Sequence, residues 1–153
     1  MPSVQRLLTT ALVCIVAASN VWADADVAYL ASERAKSLNL PFSEAVRVGN
    51  MLYLSGQLGN LPGTMDLAEG GIEGQTRQIM ANIQRILEAN DSALDRIVKC
   101  TVMMADMAEW PKLNEIYVTY FPGPKPARSA FGAAGLALGA QVEIECWATV
   151  GEN

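Results

Sequence analysis

Between Pro126 and Val150 the chain reads PARSAFGAAGLALGAQVEIECWATV. This mostly small or apolar stretch holds one arginine, Arg128, and two glutamates, Glu143 and Glu145. Isolated charges in such surroundings face water, pair with one another, or form a site. An arginine is always charged and offers a two-pronged fork that fits a carboxylate. The plainer alternative for Arg128 is an ion pair with Glu143 or Glu145 across adjacent strands. The chain contains no histidine, which excludes His-based triads, His metal sites and His general bases within one chain. Cys100 and Cys146 are not spaced as a metal knuckle or a redox pair.

The clearest element is the one that carries the glutamates. Val142, Ile144, Cys146, Ala148 and Val150 alternate with Gln141, Glu143, Glu145, Trp147 and Thr149. A period of two makes a strand with one apolar and one mixed face, so both glutamates point away from the core. Upstream, Ile79, Met80, Ile83, Ile86 and Leu87 form a core-facing stripe on a helix over about 72–90. Its other face carries Gln78, Asn82, Gln84, Arg85 and Glu88. RIVKCTVMMAD is rich in β-branched residues and reads as a buried strand. A second helix is expected over 108–121, where Trp110, Leu113, Tyr117 and Tyr120 recur at spacings of 3, 4 and 3, with Pro111 in the first turn.

EAVRVGNMLYLSGQLG reads as a strand, a Gly49-Asn50 turn and a second strand from Met51 to about Gln57. Residues 24–40 read as a short helical lead with Ala28, Ala31, Ala35 and Leu38 on one face, ended by Pro41. A further strand starts near Ala127. The order ββ-α-β-α-β-β makes an α/β sandwich, an α+β arrangement with one mixed sheet and two helices packed on one face. The other sheet face carries side chains such as Trp147 and needs a cover, for which a partner subunit is the natural candidate.

The N-terminus has the layout of a secretory signal peptide over residues 1–23. Arg6 precedes an apolar run from Leu7 to Ala18, and Val21 and Ala23 suit a cleavage site. The run is shorter than the roughly 20 residues a spanning helix needs. Residues 24–153 are then a single domain, exported to a periplasm or secreted, with no membrane attachment after cleavage. The net charge of −5 becomes one unit more negative on losing Arg6. An acidic chain without a basic cluster suits phosphate backbones poorly, so nucleic acid is not an expected partner. Cys100 and Cys146 read as two buried thiols, and a disulfide stays open in an oxidising compartment.

Several segments resemble the RidA/YjgF family of reactive-intermediate deaminases. Pro126-Ala127-Arg128-Ser129, an aromatic at Phe131 and Val142-Glu143-Ile144 are similar to that family's signature. VGNMLYLSGQ, with Ser55, resembles its strand-turn-strand. QTRQIMANI and IVKCTVMMADM resemble its first helix and the following strand. LNEIYVTYF, with Asn114, resembles its second helix. The resemblance runs from Pro41 to Val150 and implies a chorismate-mutase-like fold. It also implies a homotrimer with small-molecule sites in clefts between subunits.

On the same basis Arg128 anchors a substrate carboxylate, and Glu143 orients or deprotonates a water that attacks an imine carbon. Ser55 and Asn114 match site positions. Glu145, Gly56 and Gly132 read as structural. The family often has tyrosine where Phe42 stands and cysteine where Ala130 stands, which puts the substrate range in question. No metal and no cofactor is called for. The leading expectation is hydrolytic deamination of enamines or 2-imino acids to 2-oxo acids and ammonia. The alternatives are a non-catalytic module binding small carboxylates in the same cleft, and an endoribonuclease.

Overall fold

The computed structural model describes residues 26–151 except Leu38; the expected signal peptide at 1–23 lies outside them. The alternating C-terminal pattern forms strand β7, Val142–Thr149. Val142, Ile144, Cys146 and Ala148 are fully buried on one side, while Glu143, Glu145 and Trp147 occupy the other. The remaining strands are β1 (Val27–Leu30), β2 (Ala45–Val48), β3 (Met51–Leu54), β4 (Gln57–Leu58), β5 (Ile97–Met104) and β6 (Ala127–Gly132). They form one sheet in the order β1-β2-β3-β7-β5-β6, with β4 also paired to β7. β5 and β6 run parallel and the other neighbour pairs among these strands are antiparallel. The crossover from β5 to β6 is made by a helix, as parallel neighbours require.

Helix α1 spans Glu33–Ser37, α2 Gly71–Glu88 and α3 Trp110–Tyr117. The five stripe residues of α2, Ile79, Met80, Ile83, Ile86 and Leu87, are all buried. They pack with Leu52, Leu54, Cys100, Val102, Met104 and the inner face of β7 in one core. At about 25 cal/mol per Å² of apolar surface removed from water, this layer contributes the main favourable folding term. Both long helices thus lie on one face of a mixed sheet.

Four details differ from the sequence expectation. The lead at 24–40 contains strand β1 before the short α1, because Val27 and Tyr29 alternate with Ala28 and Leu30 and pair with β2. The strand from Met51 breaks at Ser55-Gly56, and β4 resumes beside β7 rather than β2. Only the middle of the second helix is α-helical, with 3-10 turns at Met107–Glu109 and Val118–Tyr120. Asn82, expected on the wet face of α2, is buried, and its amide donates to the carbonyls of Leu58 and Asn60 at 3.1 Å each. That tie fixes the β4 segment against α2.

The two inner cysteines are bonded to each other. Cys100 and Cys146 face one another across the β5–β7 ladder, with Cα atoms 4.2 Å apart. The reading as separate thiols is therefore corrected, because antiparallel register brings residues 46 positions apart to the same rung. The Gly49-Asn50 turn forms as expected, with Gly49 at φ 57°, a left-handed conformation glycine adopts without a side-chain penalty.

Candidate functional site

β6 is the sheet edge, and its register with β5 decides where Arg128 points. Arg128 pairs with Cys100 and Ala130 with Val102. Those two β5 residues face the helices, so Arg128 and Ala130 do too, whereas Ser129 and Phe131 face the open side. There Lys99 Nζ donates to Ser129 Oγ at 2.7 Å.

Above Arg128 runs α3, whose residues Trp110, Asn114 and Tyr117 are spaced by 4 and 3 and so share one face. The guanidinium carbon lies 4.5 Å from the Trp110 ring centroid and 4.6 Å from that of Tyr117. Arg128 Nη2 donates to Asn114 Oδ1 at 2.7 Å. No carboxylate among the described residues forms an ion pair with Arg128. The arginine opens on a cavity of about 600 Å³ lined by Asn114, Tyr117, Val118, Phe121 and Lys125 among others. The Tyr117 hydroxyl is buried and unpartnered among the described residues. Burial pushes it up to about 12, against the opposing pull of the Arg128 charge.

Glu143 stands elsewhere. It lies opposite Met103 on β5, and Glu145 opposite Thr101, on the open face of the sheet. Arg128 and the two glutamates are therefore on opposite faces, which removes the ion-pair alternative. Half-burial raises the Glu143 carboxyl above the ordinary glutamate value, and the negative charge of Glu145 raises it further. Gly56 explains part of that burial. A Cβ on Gly56 would overlap the Glu143 carboxylate, so a larger residue at the β3–β4 break would push that side chain out of its present place.

Gly132 likewise packs near the Met107 side chain, where a Cβ would stand 3.3 Å from Cγ. Ser55 donates its hydroxyl to the Ser43 carbonyl at 2.7 Å, and its backbone N–H to the Glu44 carbonyl at 3.0 Å. Its oxygen retains acceptor capacity. Phe42 is half exposed and shares a second cavity, of about 140 Å³, with Glu44, Gly56 and Leu138.

The sequence-predicted residues thus fall into two groups within one chain. Arg128, Asn114 and Ala130 sit on the helix side of the β6 edge. Glu143 rests on Gly56 across the sheet, and Ser55 and Phe42 flank that glycine. Sequence reasoning missed two contributors, Trp110 and Tyr117, which it took only as a recurring apolar stripe. Their spacing around Asn114 was the available signal.

Fold and site define a class: a mixed α/β domain with an arginine at a sheet edge, beside a cavity and free of ion pairs among the described residues. More specifically, the chain belongs to the endoribonuclease L-PSP family, whose model matches residues 33–150. It is 42% identical over 111 residues to a mouse protein named 2-iminobutanoate/2-iminopropanoate deaminase, covering 72% of this chain and 82% of that one. It is 41% identical over 121 residues to Reactive Intermediate Deaminase A, chloroplastic, of Arabidopsis thaliana. That match takes in 79% of this chain but only 65% of the plant protein's length. Among solved structures, a protein of unknown function of the conserved Rid protein family from Yersinia pestis superposes with a TM-score of 0.76. The two are 38% identical, and the match covers 82% of this chain and all of that one.

Proposed function

We propose that the protein hydrolyses reactive enamines and 2-imino acids to 2-oxo acids and ammonia, as a homotrimer whose sites lie between subunits. The observation that carries this reading is the unpaired guanidinium of Arg128 at its cavity, on the sheet face opposite Glu143. One copy supplies the anchor, with Arg128 and Asn114. The neighbouring copy supplies Glu143, with Ser55 and Phe42 beside it. The half-exposed aromatics of the open face, Tyr53 and Trp147 with their rings 5.2 Å apart, suit burial against that neighbour. The names of the mouse and plant relatives support the chemistry.

In the reaction, Arg128 holds the substrate carboxylate through its fork. Glu143 accepts a proton from a water as the water oxygen bonds to the imine carbon, and the C=N π electrons move to nitrogen. The resulting carbinolamine loses its C–N bond. The proton held by Glu143 returns to that nitrogen, and the hydroxyl proton passes to it as the C–N bond breaks, so nitrogen leaves as ammonia and the oxygen becomes the 2-oxo carbonyl. Holding the acid and the water in place needs no hydroxyl at Phe42 and no thiol at Ala130. Glu143 suits the base role because its raised pKa brings it nearer neutral pH, where proton transfer is most effective.

The test is a coupled assay in which an amino-acid oxidase generates an imine and the imine's decay is followed with and without the protein. Faster decay that is lost in Arg128→Ala is the expected result. Binding of 2-oxobutanoate without any acceleration would make the protein a small-carboxylate-binding module. RNA cleavage is disfavoured by the net charge of −5. Light scattering should give about three times the chain mass.

We also propose export to an oxidising compartment. The signal-like N-terminus and the Cys100–Cys146 bond support it, because structural disulfides persist mainly outside the cytosol. N-terminal sequencing from the native host should find Asp24 first, and a chain starting at Met1 or Pro2 contradicts it.

A further inference from the structure

We propose that Trp110 and Tyr117 are positioning residues for the anchor: their rings clamp the Arg128 guanidinium so that its free edge faces the cavity. The inference rests on the reading of Arg128 as the carboxylate anchor, and it assigns a role to two side chains which that reading leaves unused.

The geometry is specific. Trp110 and Tyr117 are seven residues apart on α3, so their Cα atoms stand about 10 Å apart along its axis at roughly 1.5 Å per residue. The guanidinium carbon lies within 4.6 Å of both ring centroids, so both rings contact it. In the clamp we infer, the rings cover its faces. Asn114, one turn after Trp110, takes Nη2 and closes part of its edge. The donors that remain lie in the guanidinium plane and, in that clamp, point outward from the pair of rings.

This arrangement does two things. It fixes a long, flexible side chain before ligand arrives, so less freedom is lost on binding. It also selects a planar cation, since a lysine ammonium neither stacks nor presents a fork. The buried Tyr117 hydroxyl fits a clamp rather than a donor role. It is closed to solvent and has no partner among the described residues, so its ring, not its oxygen, is the working surface.

The test compares Trp110→Phe, Trp110→Leu and Tyr117→Leu with wild type in the full chain. The readouts are calorimetric binding of 2-oxobutanoate, steady-state imine hydrolysis and thermal unfolding. Loss of one cation–π contact should weaken binding and raise KM about five- to thirtyfold, with kcat changed by less than about threefold. Trp110→Phe, which keeps a smaller ring, should fall between Trp110→Leu and wild type. That graded series separates a clamp from simple packing, and if the leucine variants fail to fold, weaker binding by a Trp110→Phe protein that melts as wild type decides the matter.

A Trp110→Phe or Trp110→Leu protein that melts as wild type and binds 2-oxobutanoate as tightly overturns the proposal. So does a loss confined to kcat. Arg128→Ala separates the two levels. If it abolishes binding while the ring variants do not, the clamp is wrong and the anchor stands. If it binds normally, the anchor itself is wrong.

Discussion

Breaking the Cys100–Cys146 bond should cost the protein a large share of its stability. The bond closes a loop of 46 residues between two central strands, with both sulfurs in the core. Cross-linking residues that far apart lowers the entropy of the unfolded chain. The chain-entropy model puts this at roughly 4 kcal/mol at 25 °C, and measured bonds commonly return about 2–4. Domains of this size are stable by only about 5–15 kcal/mol in total. With a urea slope of about 1.5 kcal/mol per molar, the unfolding midpoint should fall by about 1.3–2.7 M on reduction.

The assay is urea unfolding of oxidised protein against protein reduced in denaturant and refolded with excess thiol. Both samples are kept at one concentration, because assembly adds a mass-action term to apparent stability. A midpoint change below about 0.3 M would refute the estimate. Two titratable thiols in unreduced, denatured residues 24–153 would refute the bond itself.

Further outcomes follow from the two halves of the site. Glu143 acts as a base only when ionised, and burial and the Glu145 charge both raise its pKa. Glu145→Gln removes the smaller of these causes, so the acid limb of kcat/KM against pH should move to lower pH yet stay above that of an ordinary glutamate. Movement to higher pH contradicts the coupling. Gly56→Ala drives a methyl into the Glu143 carboxylate, so it should displace that flexible side chain and lower hydrolysis at least tenfold while costing less than about 1 kcal/mol by chemical denaturation. Normal activity in that variant would mean Glu143 has room to move. Tyr117→Phe removes a buried hydroxyl with no partner among the described residues and should raise stability by about 1 kcal/mol; a loss of that size would reveal a partner for the hydroxyl in the assembled protein.

The parts of the fold that were legible carry strong, local periodicity. The two-residue alternation of β7 and the stripe of α2 needed no tertiary information, and the Gly49 turn was marked by its residue type. What failed depended on pairing between distant segments. In the lead, alanines at helical spacing masked the alternation of Val27 and Tyr29, and only the β2 partner makes it a strand. Asn82 looked like a wet-face residue because the carbonyls it serves come from a separate loop. The disulfide depended on register between strands far apart in sequence.

The site shows the same division. Glu143 and Glu145 were correctly placed on the open face by alternation alone. Arg128 sits on a short strand of small residues with no readable period. Its direction is set by parallel pairing with β5, and hence its separation from Glu143 could not be read from spacing. Trp110 and Tyr117 were visible as large apolar residues at helical intervals, but such a stripe usually means core, and half of this one is core.

The central claim is that a working site takes Arg128 from one copy and Glu143 from another. The most direct measurement mixes two inactive proteins, Arg128→Ala and Glu143→Gln, unfolds and refolds them together, and follows imine hydrolysis. Random assembly of a trimer from equal amounts should leave about a quarter of the sites with both native residues, so activity should return to about that fraction of wild type. Refolding each variant alone should restore none. If mixed assemblies form, as seen by mass, and activity does not return, the site does not draw these two residues from different copies.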